Sequence, residues 1–273
     1  MNPDESDKTR LSGGKKTKGN PSSRPLVSII TIVFNNVSGI EKTIRSIFGQ
    51  NLKNFEYIII DGGSTDGTLD IIRKYEDGIA YWISEADKGI YDAMNKGMKQ
   101  STGMYLWFIN SGDLIESSSV LENIPWAENA DVYYGETHLI DDSGKVLGTR
   151  TELTTRKLPA KMIWKDMIHG MVVSHQSVIV KKEIAPSYDT VYKYSSDIDW
   201  VITCLKAARK IVNADAVLSK YLIGGFSIKN QKRALMERFV IYIKHYGIFD
   251  TLLAHISIAF NALKHALSGR RNY

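Results

Sequence analysis

The sequence predicts an α/β fold built on a doubly wound, mostly parallel sheet, and three observations lead to it. Apolar, β-branched runs of strand length recur along the chain, starting with LVSIITIVF at residues 26–34. Segments with helical periodicity separate them. The 273 residues, 43% hydrophobic and 24% charged, suffice for one large domain or for a domain with an appended helical piece.

Residues 1–24 are polar and rich in Gly, Ser and Lys, so they read as a disordered arm without the apolar stretch of a secretory signal. The catalytic body is therefore expected in the cytoplasm. After the first strand, Ile40, Ile44, Ile47 and Phe48 fall at helical spacing. A second strand, residues 55–60, ends at Asp61, and Leu69, Ile71, Ile72 and Tyr75 mark the next helix. Strand 79–83, helix 90–98 and strand 104–109 follow. This βαβαβαβ order implies a parallel sheet with right-handed crossovers.

Beyond Asp113 the pattern changes. Residues 132–135 and 138–148 suggest an antiparallel hairpin with DDSGK as its turn; strand 177–181, helix 198–208 and strand 211–217 come next. From Asp250 onward, Leu252, Leu253, Ile256, Phe260, Leu263 and Leu267 oppose a stripe of Asp250, Ser257, Asn261, Lys264 and Ser268. Asp250, His255 and Asn261 interrupt this run too often for a span of about 20 apolar residues. The helix either packs on the domain or lies on a membrane surface, where Arg270 and Arg271 would help. The layout expected is an arm (1–24), a catalytic domain (25–228) and a basic amphipathic segment (229–273).

Charge is unevenly distributed. The arm carries +3 and the segment 229–273 carries +6, so the whole-chain +5 leaves the body at −4. A nucleic-acid binder would place its basic stripe on the folded body, so that class is excluded. Basic ends suit an anionic surface instead. The single cysteine, Cys204, lies in an apolar helical run and is expected in the core.

In an open parallel sheet, ligands bind beyond the carboxyl ends of the strands. Four such ends here read Phe34-Asn35-Asn36, Asp61-Gly62-Gly63-Ser64-Thr65-Asp66, Ser84-Glu85-Ala86-Asp87-Lys88-Gly89 and Asn110-Ser111-Gly112-Asp113. Singly, each is a reasonable turn or helix cap. Asp or Asn at all four ends together points to a polar ligand.

SIITIVFNN, IIIDGGSTDGT, SEADKGIYDAMNKG and FINSGD, in this order and spacing, resemble the motifs of family 2 glycosyltransferases with the GT-A fold. The resemblance covers roughly residues 26–228 and is nearest to bacterial enzymes that build exopolysaccharide or O-antigen. It implies a Rossmann-like nucleotide-binding half, a smaller antiparallel acceptor-side part and C-terminal helices. It also implies inverting transfer of a sugar from a nucleotide-diphosphate donor to a glycan or lipid-linked glycan at the inner face of the cytoplasmic membrane. Asp61 would accept a hydrogen bond from the donor's base, and Thr31, Phe34 and Asn35 would line that pocket. Asp87, Lys88 and Gly89 would meet the ribose and diphosphate, with Gly63, Ser64, Asn95 and Asn110 completing the donor side.

Asp113 would ligate a divalent cation, Mg²⁺ or Mn²⁺, that stabilises the departing diphosphate. Asn110 and Gly112 stand where many relatives carry carboxylates, which leaves Asp113 as the only acidic group there. The base for the acceptor hydroxyl maps onto Asp197, with Asp199 as the rival carboxylate and an N-cap as the plain alternative for Asp197. His175 and Gln176 would border the acceptor or diphosphate, Ser227 a closing loop, and Trp200 a sugar ring. Two rival functions are a sugar nucleotidyltransferase, for which the Gly-rich loop and Lys after the first strand are missing, and a non-catalytic scaffold that binds sugar nucleotides at a membrane.

Overall fold

A computed structural model describes residues 10–15, 24–224 and 231–267, and divides the chain into two compact units. The first runs to Asn123 and takes in Lys181–Glu183; the second comprises Ile124–Val180 and the chain from Ile184 onward.

In the first unit, β1 (Leu11–Gly13), β2 (Val27–Val33), β3 (Phe55–Asp61), β4 (Tyr81–Ser84) and β5 (Tyr105–Phe108) lie in the order β1-β4-β3-β2-β5. The β2–β3, β3–β4 and β2–β5 pairs are all parallel. Every residue of β2 is buried, as its unbroken apolar run requires of a strand covered on both faces. Helices α1 (Val37–Phe48), α2 (Thr68–Lys74) and α3 (Ile90–Gln100) supply the crossovers, and a short strand β6 (Leu114–Ile115) and helix α4 (Val120–Asn123) end the unit. The chain steps outward from β2 to β4 and then returns to the far side of β2 as β5. Strand order therefore reverses between β2 and β5, where a ligand crevice is expected.

The arm is not unstructured throughout. Leu11–Gly13 pairs antiparallel with the edge strand β4, Leu11 opposite Ser84 and Gly13 opposite Trp82. An edge strand's unpaired backbone recruits a strand without needing an apolar pattern, so nothing in the composition announced it.

The second unit centres on β7 (Val132–Ile140), which pairs antiparallel with β8 (Val146–Thr149) and β9 (Val178–Lys181) and parallel with β10 (Ile211–Leu222). This smaller part, expected to be antiparallel, is thus mixed. The DDSGK turn is present, but the strand before it runs unbroken from Val132 to Ile140. Helices α5 (Arg150–Leu153), α6 (Ser196–Ala207), α7 (Gln231–Tyr246) and α8 (Ile248–Leu267) complete the unit, with Gly247 at φ 83° breaking α7 from α8. No helix among the described residues is long and apolar enough to cross a membrane. Cys204 is buried in α6, and its thiol pKa is pushed up by burial.

A buried carboxylate ties the sheet to the loop that feeds β5. Glu56 accepts from Ser28 Oγ at 2.5 Å, Thr102 Oγ1 at 2.9 Å and Gly103 N at 3.0 Å, and also from Thr102 N. Glu56→Ala strands these donors inside the unit, so urea denaturation should report a loss of about 3 kcal/mol. A loss within experimental error would show that the loop does not depend on this carboxylate.

Candidate functional site

Four strand ends of the first unit are knitted into one cradle. At the end of β2, Asn35 adopts a left-handed conformation, φ 46°. Its N–H donates to Ser64 Oγ at 2.7 Å, and its side-chain oxygen accepts from Thr65 N at 2.9 Å. Asn36 caps α1 through Gly39 N at 3.1 Å and reaches across the switch point to Ser111 O and Oγ, both at 3.0 Å. Asp66 joins α1 to the start of α2, accepting from Val37 N at 2.9 Å and Thr68 Oγ1 at 2.6 Å. Thr43 of α1 holds the β5 end, donating to Asp113 O at 2.8 Å and accepting from Gly112 N at 3.0 Å.

Asp61 is fully buried at the end of β3. Its carboxylate accepts from Ser64 N at 3.0 Å, Ser84 Oγ at 2.5 Å and Ser64 Oγ. It organises the DGGS loop, drawing donors from that loop and from the neighbouring strand end. Thr31 is placed differently from what was expected of it. It is wholly buried, donates to Ile109 O at 2.6 Å and accepts from the Tyr57 hydroxyl at 3.0 Å, so it bridges strands instead of lining a pocket.

Phe34, by contrast, is 64% exposed at the strand end. A Cβ on Gly62 would come within 3.0 Å of Asp87 Oδ2 and 3.2 Å of the Phe34 ring. Glycine at 62 therefore lets backbone, aromatic ring and carboxylate close together. Gly63, at φ 82°, and Ser64 complete that loop.

Lys96, which the sequence reading passed over, organises the β4 end. Its ammonium lies 2.5 Å from Asp87, 2.8 Å from Glu85 and 3.4 Å from Asp92. Burial raises the Asp87 pKa and outweighs the opposing pull of Lys96. The i,i+4 step from Asp92 to Lys96 was readable, but the contacts to 85 and 87 need the turn before α3. Lys88 and Gly89 are exposed, and Asn95 is half-buried on α3.

The residues suited to a divalent cation lie at the β5 end. Among the described residues no group of three or more His, Cys, Asp or Glu side chains forms a metal site. However, Asn110 Oδ1 is buried without a hydrogen-bond partner, three residues before the buried Asp113. Two hard oxygen donors with a single charge fit a cation whose remaining ligands come from phosphate and water.

In the second unit, Asp197 is half-buried in the first turn of α6, which starts at Ser196, so it is not the N-cap. Its Oδ1 accepts from Ile198 N at 3.0 Å. Asp199 is buried and held by α7: Lys244 Nζ lies 2.9 Å and His245 Nε2 2.7 Å from its Oδ1. Lys206 Nζ lies 3.1 Å from His245 Nδ1 on the other side of the ring. Burial works to raise the Asp199 pKa, but hydrogen bonds from His245 and Lys244 outweigh it and hold the carboxyl below its ordinary value. Asp199 is therefore a latch and a weak proton acceptor.

The same helix grips the chain ahead of Asp197. Glu237 accepts from Lys193 N and Tyr194 N, each at 2.8 Å, and Ala234 O accepts from Ser195 Oγ at 3.2 Å. None of this was foreseen, because the partners lie about forty residues apart.

His175, Tyr188 and Trp200 form a buried aromatic cluster. Trp200 stacks on Tyr188 with centroids 4.9 Å apart, its Nε1 donates to Pro186 O at 2.7 Å, and His175 Nε2 lies 2.7 Å from the Tyr188 hydroxyl. Trp200 is thus a core residue, not a sugar platform. Gln176, next to His175 in sequence, is also buried, and Ser227 lies outside the described residues.

Burial lowers the His175 pKa to about 4, against a Coulombic pull from Asp197. Because the folded value lies below the unfolded one, its stabilising contribution is full above about pH 6.5 and is lost as pH falls toward 4. Wild type should lose about 3 kcal/mol over that window from this group, and His175→Phe should flatten the decline. Equal pH profiles for the two proteins would contradict the assignment.

The profile of Glycosyl transferase family 2 matches residues 28–183, more than half of the chain, and the chain belongs to that family. It is 43% identical over 101 residues to an uncharacterized glycosyltransferase of Mycobacterium tuberculosis, covering 37% of this chain and 38% of that one. It is 32% identical over 119 residues to a PGL/p-HBAD biosynthesis glycosyltransferase of Mycobacterium bovis, covering 41% and 46%. The matches span less than half of these relatives' own length.

Among solved structures, S. aureus TarS in complex with UDP-GlcNAc shares the fold at TM-score 0.61 and 17% identity, covering 88% of this chain and 72% of that one. The mannosyltransferase PcManGT of Pyrobaculum calidifontis, in complex with GDP-Man and Mn²⁺, does so at 0.56 and 16%, covering 91% and 77%. The fold is the GT-A type of mixed α/β architecture with a large, mostly parallel sheet.

Proposed function

We propose that this family 2 chain is an inverting glycosyltransferase that takes a sugar from a nucleotide-diphosphate donor and places it on a lipid-linked glycan of the bacterial surface. The observation that carries the reading is the cradle of Phe34, Asn35, Gly62, Ser64 and Asp87 at the strand ends beside the reversal of strand order.

The exposed Phe34 ring offers the base a stacking face, and the exposed Asn35, Lys88 and Gly89 stand at the rims of the loops. The polar loop after β5 receives the diphosphate. A divalent cation, when bound, would be held by Asn110 and Asp113 and would supply Lewis-acid stabilisation of the leaving phosphate. Asp197 takes the proton of the acceptor hydroxyl as its oxygen bonds to the anomeric carbon and the bond to the diphosphate oxygen breaks. Between the two carboxylates, Asp197 is favoured because Asp199 is occupied by Lys244 and His245.

The lipid-linked acceptor is supported by the C-terminal helices. Leu235, Met236 and Val240 of α7 and Phe249, Leu253 and Ile256 of α8 are all exposed, while Thr251 and Ala254 of α8 are buried. Large apolar side chains on the outside of a basic segment fit a bilayer surface. Phe249→Asp with Leu253→Asp should abolish sedimentation with anionic vesicles and leave donor hydrolysis unchanged. Undiminished sedimentation would remove the membrane contact.

The activity test is release of nucleoside diphosphate from a panel of UDP-, GDP- and dTDP-sugars, with Mg²⁺ or Mn²⁺ and then with chelator. One donor should turn over. Asp113→Ala should lose turnover and metal response, and Asp197→Asn should lose at least about 100-fold in kcat with little change in donor binding. A folded protein that binds none of these donors would defeat the reading. Asp197→Asn with full turnover would move the base elsewhere.

A further inference from the structure

The second unit holds three half-buried arginines with no carboxylate hydrogen-bonded or ion-paired to them among the described residues. Arg150 and Arg156 converge on one backbone turn. Arg150 donates to Met171 O, and a Cβ on the preceding residue, Gly170, would come 2.5 Å from Arg156 Nε and 3.0 Å from its Nη2. Gly170, at φ 108°, lets that turn lie flat against the Arg156 guanidinium. Arg238, from the middle of α7, brings the third charge, and its Nε is buried without a hydrogen-bond partner.

The three charges sense one another. Burial first, and then Arg156 and Arg238, hold the Arg150 pKa down to about 10, with Glu136 and Tyr242 working against them. Arg156 is likewise lowered by burial and by Arg238. The Tyr242 ring, one turn after Arg238 and buried, is common to all three, and it also feels Asp197. Collecting half-buried guanidiniums without a paired carboxylate is unfavourable, and folding alone gives no reason for it. Planar guanidinium donors are matched to the oxygens of phosphate, which take two parallel hydrogen bonds from each.

We propose that Arg150, Arg156 and Arg238 form an anion site for a phosphate or diphosphate group, carried by the acceptor and held in the same unit as the candidate base Asp197. The site deepens the glycosyltransferase reading and rests on it for the identity of the carrier, though not for the binding itself. It ties the acceptor's phosphate to α7, whose outer face carries Leu235, Met236 and Val240.

The test is pyrophosphate binding, measured by calorimetry and by thermal denaturation, in chelator and in an Asp113→Ala background that removes metal-dependent diphosphate binding at the other cradle. No sugar nucleotide is present, so the outcome is independent of turnover. The parent protein should bind pyrophosphate and melt at a higher temperature with it. Arg156→Gln and Arg238→Gln should each weaken binding about tenfold or more and lose that rise. Without anion, both should be at least as stable as the parent, because a repulsive charge has been removed. Arg156→Lys, which keeps the charge but loses the planar fork, should recover only part of the affinity.

Two further arms identify the source of the phosphate. Vesicles of phosphatidylcholine with phosphatidic acid are compared with vesicles of equal charge made with phosphatidylglycerol. A preference for phosphatidic acid that the arginine variants lose assigns the site to a lipid monoester headgroup. Equal binding to both vesicle types, with pyrophosphate still bound through the arginines, assigns it to a soluble phosphate ester. Absence of pyrophosphate binding in the parent, or equal binding in parent and variants, overturns the proposal.

Discussion

The Asp61 carboxylate is buried where β3 ends, and a buried charge must be fully partnered or it destabilises the fold by several kcal/mol. Its partners come from its own loop, through Ser64, and from the neighbouring strand end, through Ser84. Satisfying it therefore fixes the path of the DGGS loop. That loop holds Asn35 through Ser64 and places Gly62 against Phe34 and Asp87. The geometry of the proposed donor cradle thus follows in large part from solvating one carboxylate without water.

Similar logic recurs in the second unit with a different purpose. Asp199 and Glu237 are carboxylates satisfied across the α6–α7 contact, one accepting from helix α7 and the other belonging to it. Between them they enclose residues 193–199 and so fix the turn that carries Asp197. Helix α7 is therefore part of what positions the candidate base, not an appendage to it. The arginines beside Tyr242 depart from this logic, since no carboxylate is paired with them among the described residues, and the proposed anion site rests on that departure.

Much of the first unit was legible because a parallel sheet writes its strands as unbroken apolar runs and puts its polar residues at the ends. Asn35, Asp61, Asp87 and Asp113 all stand at such ends, where the fold brings the first three together around Gly62 and Ser64. What the runs do not encode is which polar side chain is consumed by the fold. Thr31, Asp61 and Trp200 are the types a ligand site uses, yet each is satisfied internally by partners between 3 and 78 residues away. Lys96 and Glu237 escaped notice for the converse reason: solvent-type residues on helical faces look ordinary until the turn they serve is folded against them. Strand β1 was invisible because its stability lies in backbone pairing along an edge.

The strand ends of the first unit are proposed as the nucleotide cradle. A crystal structure of the chain with the sugar nucleotide it turns over, or with the corresponding nucleoside diphosphate, tests this most directly. The base is expected against Phe34, the ribose near Asp87 and the diphosphate at Asn110–Asp113. A nucleotide bound elsewhere, with this cradle holding only water, would contradict it.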